Sequence, residues 1–146
     1  MSSPQRLTMD ERIGYLLKRA QQTLRLVMDT RLRSLELTTA QYAALSALEQ
    51  TPQASNAALA RACFVTPQTM IEIIKGLEAV GFVSRKSHPE HGRIIQTILT
   101  ASGSAKLTEA HRVVIQIEAE MLAGVDAEDQ KAMAAGLRQC FENLER

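Results

Sequence analysis

Tryptophan is absent from this sequence of 146 residues, and aromatic residues make up only 3% of it. That scarcity argues against an RNA-binding sheet, which stacks bases on exposed rings. Two cysteines, Cys63 and Cys140, are too few for a disulfide scaffold and stand in no CxxC or Cys/His ligand spacing. They are expected to be reduced and buried. Long apolar runs are also lacking: charge interrupts each stretch, as at Lys18-Arg19 and Arg31-Leu32-Arg33. Nothing approaches the roughly 20 apolar residues that cross a bilayer. The start, MSSPQRLTMDER, has no basic segment leading into an apolar core and cleavage site. The expectation is a cytoplasmic protein with no membrane partner.

Catalytic groupings are equally scarce. Ser, His and Asp are scattered, no Gly-rich phosphate loop or cofactor motif occurs, and His111 sits in a helical stretch beside Arg112. His88 and His91 flank Pro89-Glu90, but two imidazoles in a hairpin fall short of the four ligands usual for zinc. No cofactor, no metal and no enzymatic activity are expected. The length suits one compact domain, with no room for a second, catalytic one.

What is present is a helical pattern with one interruption. Thr8-Met9-Asp10-Glu11 reads as a capping box that starts a long helix, with Ile13, Leu16, Leu17, Ala20, Leu24, Val27, Met28 and Leu35 on its buried stripe. A second box, Thr38-Thr39-Ala40-Gln41, opens a short helix that turns Tyr42, Leu45 and Leu48 inward and ends at Thr51-Pro52-Gln53. Ser55 caps a third over Ala57 to about Ala62, with a tight turn at Cys63-Phe64-Val65. Thr66-Pro67 starts a fourth, with Met70, Ile73, Ile74 and Leu77 inward and Gly81 as its left-handed end.

After Gly81 the period shortens towards two, which predicts strands at Phe82–Lys86 and Ile94–Leu99 around the polar segment Ser87–Arg93. Thr100 starts another helix, with Leu107, Ala110, Val114, Ile117 and Met121 as its stripe, up to Gly124. Asp126 caps the last, which carries Met133, Leu137, Cys140, Phe141 and Leu144. The fold class is therefore mainly α with a two-stranded β-wing.

Two short helices joined by a tight turn and followed by a basic hairpin form a winged helix-turn-helix, whose second helix enters the major groove of DNA. The net charge is only +1, but residues 1–38 hold seven Lys/Arg against four Asp/Glu, while 101–146 hold five against eight. That asymmetry suits a polyanionic partner, although a solvated charge face has the same look. Thr66 and the free N–H groups of the first turn suit a phosphate. Gln68, Thr69, Glu72 and Lys75 offer polar groups to base edges, and Arg85, Lys86, His88, His91 and Arg93 can reach a flanking backbone or minor groove.

On these residues the sequence resembles the MarR family of transcriptional regulators. The resemblance rests on Leu59-Ala60, Val65-Thr66-Pro67-Gln68-Thr69-Met70, Leu77-Glu78-Ala79-Val80-Gly81-Phe82-Val83-Ser84-Arg85, the hairpin ending in Arg93, and Leu99-Thr100 followed by Gly103. It implies a ligand-responsive repressor that binds a pseudo-palindromic double-stranded DNA operator as a homodimer. Residues 1–146 would be one domain, with 39–100 as the winged lobe and 8–37 and 101–146 as dimerisation helices. DNA contacts would come from Thr66, Gln68, Thr69, Glu72, Lys75, Arg85, Lys86 and Arg93. A small-molecule effector would sit among the first, second and fifth helices, near Tyr15, Arg19, Tyr42 and His111.

Three residues depart from the family pattern. Phe64 stands where a turn often has Gly, His91 where an acidic residue often orients the wing arginine, and Glu72 where a basic or small polar residue is frequent. The peroxide-sensing branch uses a cysteine in the first helix, which this sequence lacks. A winged-helix module that docks protein instead of DNA is the alternative, and it requires an exposed apolar face on the fourth helix.

Overall fold

The computed structural model describes residues 6–146. Its helices are α1 (Ile13–Leu32), α2 (Thr39–Gln50), α3 (Asn56–Ala62), α4 (Pro67–Ala79), α5 (Ala101–Met121) and α6 (Ala127–Leu144). Strands β1 (Val83–Ser87) and β2 (Ile95–Leu99) lie between α4 and α5 and pair antiparallel, with Arg85 opposite Thr97 and Lys86 opposite Gln96. The chain forms two compact units, of which the first ends at Val114 and the second is Ile115–Arg146.

The core of the first unit is aliphatic. Leu32, Leu45, Leu48, Leu59, Met70, Leu77 and Leu107 are fully enclosed, each contributing about 1.5–3 kcal/mol by leaving water. Side-chain caps set the helix starts around it. Thr38 Oγ1 accepts the Gln41 N–H at 3.0 Å while Gln41 Oε1 accepts the Thr38 N–H at 3.0 Å, so the second capping box closes in both directions. The Asp29 carboxylate accepts the Thr39 N–H and hydroxyl at 3.1 and 2.6 Å, tying α1 to the start of α2.

The first capping box does something else. Glu11 accepts from the Thr8 N–H and hydroxyl at 2.8 and 2.9 Å, but the box closes a one-turn 3-10 helix, Met9–Glu11. Arg12 then turns extended, with φ −82° and ψ 126°, and α1 starts only at Ile13. Of the stripe expected to be buried along α1 only Met28 is buried, together with Leu32, which lay outside that stripe; Ile13, Leu16 and Leu17 remain exposed in the single chain. Leu35 falls outside α1, in the 3-10 turn Arg33–Leu35.

Smaller corrections have local causes. Helix α3 begins at Asn56, directly after its cap Ser55, instead of at Ala57. Phe82 leaves β1 because its N–H is used by the Leu77 carbonyl in the turn that ends α4, and Ser87 joins the strand. Ile94 leaves β2 because its N–H bonds the His91 carbonyl inside the hairpin turn. In the second unit, α6 has its Asp126 cap, but Met133, Leu137, Cys140, Phe141 and Leu144 are all exposed. Cys140 therefore overturns the expectation of two buried thiols; Cys63 is half-buried.

Thr100 fastens the hairpin to α5. Its hydroxyl donates to the Gly81 carbonyl at 2.6 Å and accepts the Gly103 N–H at 3.0 Å, while its own N–H bonds the Phe82 carbonyl. A Cβ on residue 103 would overlap that same Phe82 carbonyl, which accounts for glycine there.

Candidate nucleic-acid interface

The interface is built from the start of α4. Thr66, extended at φ −72° and ψ 154°, caps it by accepting the Thr69 N–H at 3.1 Å, and Pro67 occupies the first helical position, where no N–H is required. Met70, Ile74 and Leu77 anchor one side of α4 in the core. Gln68, Thr69, Glu72 and Lys75 are consequently left exposed on the outward side. That side is polar, whereas the protein-docking alternative needs it apolar.

Within this set, Lys75 Nζ lies 3.8 Å from the Glu72 carboxylate, both side chains being largely exposed. An ion pair that exposed is worth little, so either partner can exchange it for a nucleic acid group. Asn56, which no sequence motif singles out, donates from Nδ2 to the Pro67 carbonyl at 3.1 Å and ties the start of α3 to the start of α4. Its partner lies eleven residues away, beyond the reach of local pattern.

The turn before α4 carries strain. Phe64 adopts φ 58° with its ring 92% exposed, so the backbone sits in the left-handed region without compensating burial. The position thus has the conformation that favours Gly in other such turns.

Arg85 and Lys86 project from β1, and Arg93 stands in the hairpin turn; all three are exposed. The turn is closed by His88 N–H to the Ile94 carbonyl and Ile94 N–H to the His91 carbonyl, each at 2.8 Å. His88 Nδ1 accepts the backbone N–H groups of Glu90 and His91 at 3.0 and 3.2 Å, and the His88 and His91 rings lie 5.0 Å apart. His88 thus shapes the wing tip.

The residues expected around an effector divide. Tyr42 Oη lies 2.8 Å from His111 Nδ1, and His111 Nε2 lies 3.0 Å from a carboxylate oxygen of Glu49, so α2 and α5 are joined by a trio that includes the unforeseen Glu49. Tyr15, half-buried, and Arg19, exposed, stand one turn apart on α1. The Cys63 thiol is pushed above its ordinary range by burial, which disfavours the reactive thiolate.

The MarR family model matches residues 35–94, the span from the end of α1 to the wing. The chain is similar to the HTH-type transcriptional repressor Rv2887 of Mycobacterium tuberculosis, 38% identical over 122 residues that cover 84% of this chain and 88% of that protein. A solved structure of the Mycobacterium tuberculosis MarR family protein Rv2887 in complex with DNA superposes with a TM-score of 0.74 at 34% identity, covering 90% of this chain and 98% of that one. BpsR of Bordetella bronchiseptica, whose DNA binding is regulated by 6-hydroxynicotinic acid, shares the fold at a TM-score of 0.83 and 24% identity, over 92% of this chain and 96% of that one. No helix among the described residues is long and apolar enough to cross a membrane. With its winged helix-turn-helix in place and a repressor related over most of both chains, this protein belongs to the MarR family of transcriptional regulators, which are not enzymes.

Proposed function

We propose that this protein is a cytoplasmic, ligand-responsive repressor that binds a pseudo-palindromic double-stranded DNA operator as a homodimer. The observation that carries the reading is the two-sided α4: its core side is fixed by Met70, Ile74 and Leu77, while its capped start presents Gln68 and Thr69 outward. Gln68 and Thr69 read base edges, with Glu72 and Lys75 farther along the groove. Thr66 and the first-turn N–H groups receive a phosphate, and Arg85, Lys86 and Arg93 hold the flanking backbone or minor groove. Rv2887 has been solved with DNA and with salicylic acid, which supports both the DNA and the effector parts of the reading.

Residues 39–100 serve as the DNA-binding lobe of a single 1–146 domain, and 8–37 with 101–146 serve as dimerisation helices. The exposed apolar side chains of α1 and α6 support this: Ile13, Leu16 and Leu17 on one, Met133, Leu137 and Phe141 on the other. Burying such faces is the usual basis of an obligate dimer interface. Effector access is assigned to the region of Tyr15, Arg19, Tyr42 and His111.

The test is selection of bound fragments from random duplex DNA, combined with sedimentation at low micromolar protein. An inverted repeat with half-sites about one helical turn apart is expected, together with a dimer. Absence of enrichment overturns the DNA reading, and a stable soluble monomer overturns the dimer.

A further inference from the structure

His88 holds the wing tip both by its backbone and by its ring. Its N–H donates to the Ile94 carbonyl at 2.8 Å, just beyond the last strand pair, Ser87 with Ile95. Pro89 has no N–H, so Glu90 and His91 are the next amide donors along the chain. Both donate to His88 Nδ1, at 3.0 and 3.2 Å. Ile94 in turn donates its own N–H to the His91 carbonyl at 2.8 Å, which closes the turn His91-Gly92-Arg93-Ile94. His88 therefore grips both ends of the turn that carries Arg93: His91 through its ring, Ile94 through its main chain.

An imidazole nitrogen accepts only while it carries no proton, so these two bonds require a neutral ring with its single proton on Nε2. The strands pair independently of it, Val83–Ser87 against Ile95–Leu99, and the ring sets only the path of the chain between them. The other titratable and charged groups of the hairpin are few. Glu90 and Arg93 are exposed in the turn, the His91 ring lies 5.0 Å from that of His88, and Arg85 and Lys86 stand on β1. Strand β2 carries none.

We infer that His88 is a positioning residue for DNA binding: its Nδ1 clasp fixes where Arg93 stands, and a proton taken up at Nδ1 opens the clasp. A protonated Nδ1 is itself a donor facing two N–H donors, so both bonds are lost together. The wing then keeps its strand pairing and loses the fixed place of Arg93. The contact of Arg93 with DNA rests on the function proposed above; the clasp does not.

The test uses the full-length protein. Asn Oδ1 stands as many bonds from the backbone as His Nδ1 and accepts the N–H two residues on, as in an Asx turn, whereas the Gln side chain is one carbon longer. In amide hydrogen exchange without DNA, His88→Gln should lower the protection of Glu90 and His91 about three- to tenfold, the worth of one hydrogen bond. His88→Asn should retain that protection. Lowering the pH from about 8 to about 5, the range in which imidazole gains its charge, should reduce both protection factors in the parent protein and leave them unchanged in His88→Asn. Full protection in His88→Gln, or equal loss in His88→Asn, overturns the clasp. Protection in the parent that does not respond to pH overturns its sensitivity to protons. On duplex DNA, His88→Gln should weaken binding about three- to tenfold and His88→Asn should restore it, while in an Arg93→Ala background His88→Gln should change nothing further. Additive losses would mean that His88 acts apart from Arg93 and overturn the positioning role. Exchange reads the clasp even where no DNA binding is found, so its failure and that of the DNA reading are distinguishable.

Discussion

The Thr66 hydroxyl accepts the Thr69 backbone N–H at 3.1 Å and donates to the Thr69 hydroxyl at 3.0 Å. One residue thus both caps α4 and holds the Thr69 side chain, which is proposed to face the bases. Thr66→Ala is expected to cost about 1 kcal/mol of stability through the missing cap. It should also reduce operator affinity more than affinity for unrelated duplex, because Thr69 regains its rotamers. Urea denaturation and fluorescence anisotropy on the two duplexes measure the two effects; equal loss on both duplexes removes Thr69 from base reading.

Groove reading and backbone anchoring separate in the salt dependence. Gln68→Ala should cost about 1–3 kcal/mol on the operator and much less on scrambled DNA. Arg93→Ala should weaken both and make the slope of log K against log salt shallower by roughly 0.9 for each phosphate that is no longer neutralised. Both side chains are exposed, so neither variant should alter the thermal melt. Unchanged affinity in both variants favours the protein-docking alternative.

Phe64→Gly should stabilise the chain. The left-handed backbone at φ 58° costs about 1–2 kcal/mol for a residue with a Cβ, and the ring is 92% exposed. Glycine gives back roughly 0.5–1 kcal/mol through the entropy of the unfolded chain, which leaves a gain of up to about 1.5 kcal/mol. The melting temperature should rise by about 3–6 °C for a gain of that full size. A lower melting temperature would show that the Phe64 ring has a packing role.

At residue 103 the sign is opposite. Gly103→Ala places a methyl against the Phe82 carbonyl, and although the Leu99 side chain beside it can yield, that backbone carbonyl cannot swing aside. A loss of about 1–3 kcal/mol or more is expected, with the Thr100 latch between hairpin and α5 disturbed. Denaturant midpoints check this, and a neutral outcome would mean that the latch is looser than its bonds indicate.

Asp29 gives a pH dependence. Thr39 holds its carboxyl below the usual range, first through the hydroxyl and then through the N–H, with Arg25 and Arg33 adding charge attraction. The stabilisation is therefore fully present above the unfolded value of about 3.9 and is lost as pH falls through the lower folded value. The stability difference between the parent protein and Asp29→Asn, on the order of 1 kcal/mol after discounting for exposure, should be flat above about pH 5 and shrink below pH 4. A difference that persists unchanged to pH 2 would assign it to packing.

Much of this was legible in the sequence because its signals are local. Thr38 with Gln41, Ser55, Thr66 with Pro67, and Asp126 each start a helix through bonds spanning three residues, and Gly81 ends α4 at φ 81°. The same local logic failed at Thr8. There Glu11 satisfies its partner within one 3-10 turn, and the extended Arg12 delays α1. The strand ends also shifted, since Phe82 and Ile94 spend their N–H groups in turns.

The sequence by itself determined the order of the elements, the polar outward side and apolar inward side of α4, and the basic wing, because periodicity, caps and turns act over a few residues. Tertiary structure alone decided that Asn56 braces Pro67 and that Glu49 joins Tyr42 and His111. Those partners are separated by 11 residues in the first case and by 62 and 69 in the second. Only the packing of helices around a shared core brings such groups within bonding distance, and no short-range pattern encodes it.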